Sequence, residues 1–236
     1  MRLAVLALAV ALASGCGGSD DRKEAAATPR PCSPGEHVLQ LPNGQPARMR
    51  VTPPGPGKRA LIVVLHGAGQ TPADALETFR GGWKERGLVL IAPASKGQTW
   101  SILSSPQDLD LESVNFALGE AYKRCTIDRR RIAVGGFSDG ASYALTLGVS
   151  NGDLFPAVMA LSPGAILAGE QVGVPRFFVS HGTLDEVLPI EIAGDSVVQK
   201  LRAAGYPVTY RRFRGGHEAS LATSTAAVRW FLRGAP

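Results

Sequence analysis

A serine hydroxyl attacks a carbonyl at neutral pH only when a base takes its proton, and that base is usually a histidine held by a carboxylate. One serine in this chain has neighbours that suit such a role, in Gly136-Phe137-Ser138-Asp139-Gly140. The flanking glycines leave room for a side chain presented on a strained turn between a strand and a helix. Two later segments offer partners. Ser180-His181-Gly182-Thr183-Leu184-Asp185 places Asp185 just past an apolar run, with Glu186 beside it as the alternative acid. Arg214-Gly215-Gly216-His217-Glu218 places His217 on a glycine-rich loop. The other histidines fit a base less well: His37 lies ahead of the core, His66 belongs to a turn, and His181 is too close to Asp185 in sequence to face it across the serine. The pattern points to acyl transfer, with Ser138 as nucleophile, His217 as base and Asp185 as the orienting acid. An oxyanion needs two backbone N–H groups. Asp139, at a helix N-terminus, is one candidate; Ala68 in His66-Gly67-Ala68-Gly69 is the other, with Gly69 as its alternative. Trp100 and Phe137 are expected to line the pocket, plain packing being the alternative for Trp100.

These residues must be carried by regular elements. Ala60–Leu65 is a continuous apolar run, as expected of a strand buried on both faces. His37–Leu41 and Ala47–Thr52 flank a Pro-Asn-Gly-Gln turn and predict an edge hairpin. Further strands are expected at Leu88–Ala92, Ile132–Val134 (turning at Gly135 and Gly136), Ala157–Leu161, Arg176–Ser180 and Val208–Phe213. Helical spacing is read over Ala73–Arg86, Leu109–Arg124, the segment after Ser138, Ile190–Ala204 and Glu218–Leu232. Alternating strands and helices predict an α/β fold with a mostly parallel central sheet flanked by helices. Ligands then sit beyond the carboxyl ends of the strands, where the candidate residues lie.

The chain has 236 residues and a formal charge of +5. Its densest basic runs, Arg129-Arg130-Arg131 and Arg211-Arg212-Phe213-Arg214, carry no aromatic or helical pattern, which argues against nucleic-acid binding. No repeat or metal-type cluster stands out, so no metal is expected. At the N-terminus, Arg2 precedes eleven apolar residues, Leu3 to Ala13. That stretch is too short to span a bilayer and reads as a signal peptide over residues 1–15. Leu12-Ala13-Ser14-Gly15-Cys16 resembles the lipobox of bacterial lipoproteins, although that pattern prefers leucine where Ala13 stands. The resemblance implies export and a lipid anchor on Cys16. Residues 16–35 are small, charged and proline-containing, and read as a tether to a folded domain over 36–236. In an oxidising compartment Cys32 and Cys125 are then candidates for a disulfide, two separate buried thiols being the alternative.

The order Ser138, Asp185, His217 is that of an α/β-hydrolase. The motifs Leu65-His66-Gly67-Ala68-Gly69, Gly135-Gly136-Phe137-Ser138-Asp139-Gly140, His181–Pro189 and Gly215-Gly216-His217-Glu218 together resemble phospholipase/carboxylesterase-type serine esterases. Polyhydroxybutyrate-depolymerase-like and feruloyl-esterase-like hydrolases share much of the set. The resemblance covers about residues 58–233 and departs at Asp139-Gly140-Ala141, where those esterases often have Gln or Asn followed by two glycines. It implies hydrolysis of a small-molecule carboxylic ester without a cofactor. Ser162 to Pro175 is short and rich in glycine and proline, so no large lid is expected, and short acyl groups should be favoured.

Overall fold

A computed structural model describes residues 32–167 and 169–234; the expected signal segment, Cys16 and nearly all of the tether lie outside the described residues. Eight strands form one sheet: β1 (Gly35–Gln40), β2 (Pro46–Val51), β3 (Arg59–Leu65), β4 (Leu88–Pro93), β5 (Ile127–Phe137), β6 (Ala157–Leu161), β7 (Arg176–Gly182) and β8 (Val208–Phe213). Their order is β1-β2-β4-β3-β5-β6-β7-β8. The β1–β2 hairpin and the β2–β4 pair are antiparallel, and every other pair is parallel.

The apolar run of β3 divides between two cores. Leu61, Val63 and Leu65 pack on one face of the sheet, and Ala60, Ile62 and Val64 on the other. This is why the strand reads as continuous apolar sequence and not as alternation. Helices α2 (Leu111–Arg124), α3 (Asp139–Ser150) and α4 (Gly194–Ala203) cover the first face. Helices α1 (Pro72–Thr78) and α5 (Leu221–Leu232) cover the second. Cys32 and Cys125 form a disulfide with their Cα atoms 4.9 Å apart, joining the start of the described chain to the end of α2.

Three helices are shorter than their periodicity suggested. α1 stops at Thr78, and the chain goes on as a 3-10 turn over Arg80–Gly82. A Cβ on Gly81 would lie 2.4 Å from Thr225 Oγ1, so the backbone there is pressed against α5 instead of continuing a helix. α5 starts at Leu221 because the Ser220 side chain caps it by accepting from Thr223 N–H. α4 starts at Gly194, after a turn over residues 190–193 in which the Ile192 and Ala193 N–H groups donate to the Pro189 carbonyl. In the opposite sense, β5 does not turn at Gly135 and Gly136. It stays paired through Phe137, with Gly136 opposite Leu65 and Phe137 opposite Leu161.

Candidate active site

The carboxyl ends of β3, β5, β7 and β8 bring the site together. Beyond β5, Ser138 adopts φ 54° and ψ −120°, a backbone conformation that costs a non-glycine residue about 1–3 kcal/mol. Backbone contacts make its neighbours glycine. A Cβ on Gly136 would lie 2.2 Å from the Gly140 carbonyl oxygen, and one on Gly140 would lie 2.2 Å from that of Leu65. The turn is thus pressed against both the helix it opens and the neighbouring strand. α3 behind it is buried from Gly140 to Ser150, which gives the turn a rigid base.

The next constraint joins β7 to the loop after β8. A Cβ on Gly182 would lie 2.3 Å from the carbonyl oxygens of Gly215 and Gly216. That close approach puts Asp185 beside His217. His217 Nδ1–H donates to Asp185 Oδ2 at 2.8 Å, and Ser138 Oγ–H donates to His217 Nε2 at 2.9 Å. Asp185 Oδ1 accepts from the N–H groups of Val187 at 3.0 Å and Leu188 at 2.8 Å. Burial alone raises the Asp185 pKa, but the Leu188 N–H, the His217 hydrogen bond and the two histidine rings outweigh it and hold the carboxyl below its ordinary value. Asp185 is therefore an ionised acceptor for imidazole. Such a relay can draw the proton from Ser138 as its oxygen attacks a carbonyl carbon. The side chain of Glu186, the alternative acid, has no part in it.

The loop after β3 faces the same point. Its Gly67 N–H donates to Gln70 Oε1 at 2.9 Å, Gly69 N–H to the Gln98 carbonyl at 2.7 Å, and Gln70 N–H to the Gly67 carbonyl at 3.2 Å. The Gly69 N–H is thus engaged within the loop, whereas Ala68 is exposed. Asp139 opens α3, so its N–H is among those a helix leaves unpaired. Its carboxylate is turned aside, accepting from Thr99 Oγ–H at 2.6 Å.

Phe137 lies against the relay, its ring centroid 5.0 Å from that of His217. Trp100 does not line a pocket. It is fully buried, stacks on Tyr143 at 5.1 Å, and donates its indole N–H to the His66 carbonyl at 2.8 Å. A large ring with one donor is best buried where that donor finds an acceptor, and here it braces the loop that carries Ala68. His66 serves the same loop: Nδ1–H donates to the Gly67 carbonyl and Nε2 accepts from Ser95 N–H, while burial lowers its pKa.

Two contributors were not found by sequence reasoning. His181 is buried with Nε2 3.1 Å from Asp185 Oδ2, although proximity in sequence seemed to set it aside. Ser162, at φ 49°, donates from Oγ to the Glu218 carbonyl at 3.0 Å, next to His217. The strand spacing that placed Asp185 contained a signal for the first, a histidine one residue before the end of β7; nothing in sequence marks the second. Among the described residues no group of three or more His, Cys, Asp or Glu side chains is arranged to hold a metal ion.

Comparison with known proteins places the fold and the family. A poly(3-hydroxybutyrate) depolymerase from Ralstonia pickettii is 31% identical over 134 residues, 48% of this chain and 26% of that protein, so the chain spans about a quarter of that relative's length. Among solved structures, the Bacillus cereus carboxylesterase superposes with a TM-score of 0.64 at 19% identity, covering 80% of this chain and 94% of that one. A ferulic acid esterase superposes with a TM-score of 0.63 at 17% identity, covering 84% and 97%. At such identities the structures establish a shared α/β-hydrolase fold. The phospholipase/carboxylesterase family model matches residues 111–235, which include Ser138, Asp185 and His217. Because that match spans more than half of the chain, the protein belongs to the phospholipase/carboxylesterase family.

Proposed function

We propose that this protein is a serine esterase that cleaves carboxylic esters, favouring short acyl groups, through an acyl-enzyme intermediate. One observation carries the reading: Ser138 on its strained turn is linked through His217 to Asp185 by hydrogen bonds of 2.9 and 2.8 Å. Ser138 Oγ attacks the ester carbonyl as His217 Nε2 takes its proton, and Asp185 stabilises the imidazolium. The N–H groups of Ala68 and Asp139 receive the oxyanion. His217 returns the proton to the departing alcohol, and water then releases the acid by the same path. The short-acyl preference is supported by the connection 162–175, which holds no helix or strand among its described residues. Fluorophosphonate labelling of wild type and Ser138→Ala, followed by turnover of an ester panel, tests the reading. Label retained on the Ala variant removes Ser138 as nucleophile. Similarity to the depolymerase keeps polyester cleavage as the second reading, decided by acid release from poly(3-hydroxybutyrate) against simple aryl esters.

The same proposal includes export and a lipid on Cys16. It is supported by the apolar N-terminal run with its small residues before Cys16 and by the Cys32–Cys125 disulfide, a bond that persists in oxidising compartments. Cys16→Ser should move the protein out of the membrane fraction. An unchanged distribution counts against the anchor.

A further inference from the structure

His181 is fully buried, yet it stands outside the chain of hydrogen bonds from Ser138 through His217 to Asp185. Its Nε2 lies 2.8 Å from the Leu188 carbonyl oxygen and 3.1 Å from Asp185 Oδ2. Both neighbours accept, so Nε2 carries the hydrogen. It donates to Leu188, with the carboxylate oxygen close to the same N–H. Nδ1 is buried with no hydrogen-bond partner. A hydrogen there would be an unpaired buried donor, which fixes the tautomer. The ring is also clamped from behind. A Cβ on Gly194 would lie 2.7 Å from its Cγ and Nδ1, so α4 opens with the one residue that leaves the ring its place.

The contacts converge on the acid. Val187 and Leu188 N–H groups aim Asp185 Oδ1, and His181 holds the Leu188 carbonyl of that same turn. His181 also places the positive end of its N–H beside Oδ2, the oxygen that receives His217. We propose that His181 is a positioning residue, which holds the turn from Asp185 to Leu188 and so keeps the carboxylate in the orientation His217 requires. The proposal rests on the reading of Ser138, His217 and Asp185 as the catalytic relay.

Three variants test it. His181→Leu removes the donor, His181→Gln keeps an N–H₂ group of similar reach, and Gly194→Ala pushes the ring without altering its chemistry. Rates on p-nitrophenyl acetate are counted per site titrated by fluorophosphonate, so that loss of folded protein does not register. For His181→Leu and Gly194→Ala we expect kcat to fall on the order of 10–100-fold with little change in KM, as for a catalytic group displaced by about an ångström. A carboxylate deprived of a nearby donor attracts the imidazolium more strongly, so the acid limb of kcat/KM should move to higher pH. His181→Gln should recover most of kcat and the position of the limb. Wild-type kcat and an unmoved limb in His181→Leu overturn the proposal. So does His181→Gln as impaired as His181→Leu. If His181→Leu gives no folded protein, Gly194→Ala and His181→Gln decide by the same two readouts. Ser138→Ala, assayed alongside, separates the two readings: wild-type turnover there means that the relay itself is misassigned.

Discussion

Two adjacent strands of the sheet end in the same way and lead to different things. β5 is followed by Ser138 at φ 54° and β6 by Ser162 at φ 49°, the two described residues other than glycine with positive φ. Each N–H donates to the next strand over, Ser138 to the Leu161 carbonyl at 3.0 Å and Ser162 to the Ser180 carbonyl at 2.8 Å. Beyond that the environments diverge. Ser138 is partly exposed, and its hydroxyl meets a histidine nitrogen. Ser162 is fully buried, and its hydroxyl is committed to the Glu218 carbonyl. Ser138 opens a buried helix, whereas Ser162 opens a connection with no helix or strand among its described residues. An unusual backbone angle therefore marks a position that the fold over-determines, not a nucleophile. The partner of the oxygen decides which serine can react.

The sharpest separation should be in turnover. Ser138→Ala and His217→Ala should each lower kcat on p-nitrophenyl acetate by roughly 10⁴-fold or more, since members of such a relay act as a unit. Ser162→Ala removes one buried hydrogen bond next to His217 and should cost about tenfold at most, through a slightly displaced imidazole. Activity should also fall at acidic pH, because a general base works only while neutral, whereas Asp185 is held below the ordinary carboxylate range. Comparable losses at the two serines would collapse the distinction between them.

What could be read from the chain followed the physics of each feature. Buried strands announce themselves as apolar runs, so β3, β4 and β6 lay within a residue of their expected ends. The residues of the relay were legible because each follows a strand of a parallel sheet, whose carboxyl edge is a known place. His181 and Ser162 were not legible as parts of the site. Their roles depend on the approach of Gly182 to Gly215 and Gly216, and of Ser162 to Glu218, which the register of three strands sets and no local pattern encodes. Trp100 was misplaced for a related reason: a loop tryptophan reads as pocket lining until its N–H is seen to meet the His66 carbonyl. Helix ends were lost where a cap or a glycine contact, at Ser220 and Gly81, overrode periodicity.

The connection after Ser162 supplies a test of intermediate size. A lid able to enclose a long acyl tail would recover about 0.8 kcal/mol per buried CH₂, and the described residues of the connection 162–175 offer no helix or strand to build one. Rates should fall along p-nitrophenyl acetate, butyrate, octanoate and palmitate, by roughly tenfold or more from the first to the third. No jump is expected at the concentration where substrate forms micelles. A best rate on octanoate or palmitate, or activation at the micelle threshold, would show that the chain after Ser162 does more than connect two strands.

The smallest effect separates the two serines by stability alone. Glycine relieves positive φ at either site, a gain of about 1–2 kcal/mol, and loses roughly 0.5–1 kcal/mol to the greater freedom of the unfolded chain. At Ser138 the lost hydrogen bond lies in a partly open site, where water can satisfy His217 Nε2. Ser138→Gly should then be as stable as wild type or more stable by about 1 kcal/mol in urea unfolding, although inactive. At Ser162 the hydroxyl is buried, and its loss takes about 1 kcal/mol with it. Ser162→Gly should therefore be neutral or destabilised, leaving a gap of about 1 kcal/mol between the variants. If Ser138→Gly is the less stable of the two, the strain at the candidate nucleophile is not stored at its backbone, and the exposed hydroxyl contributes more to folding than the buried one.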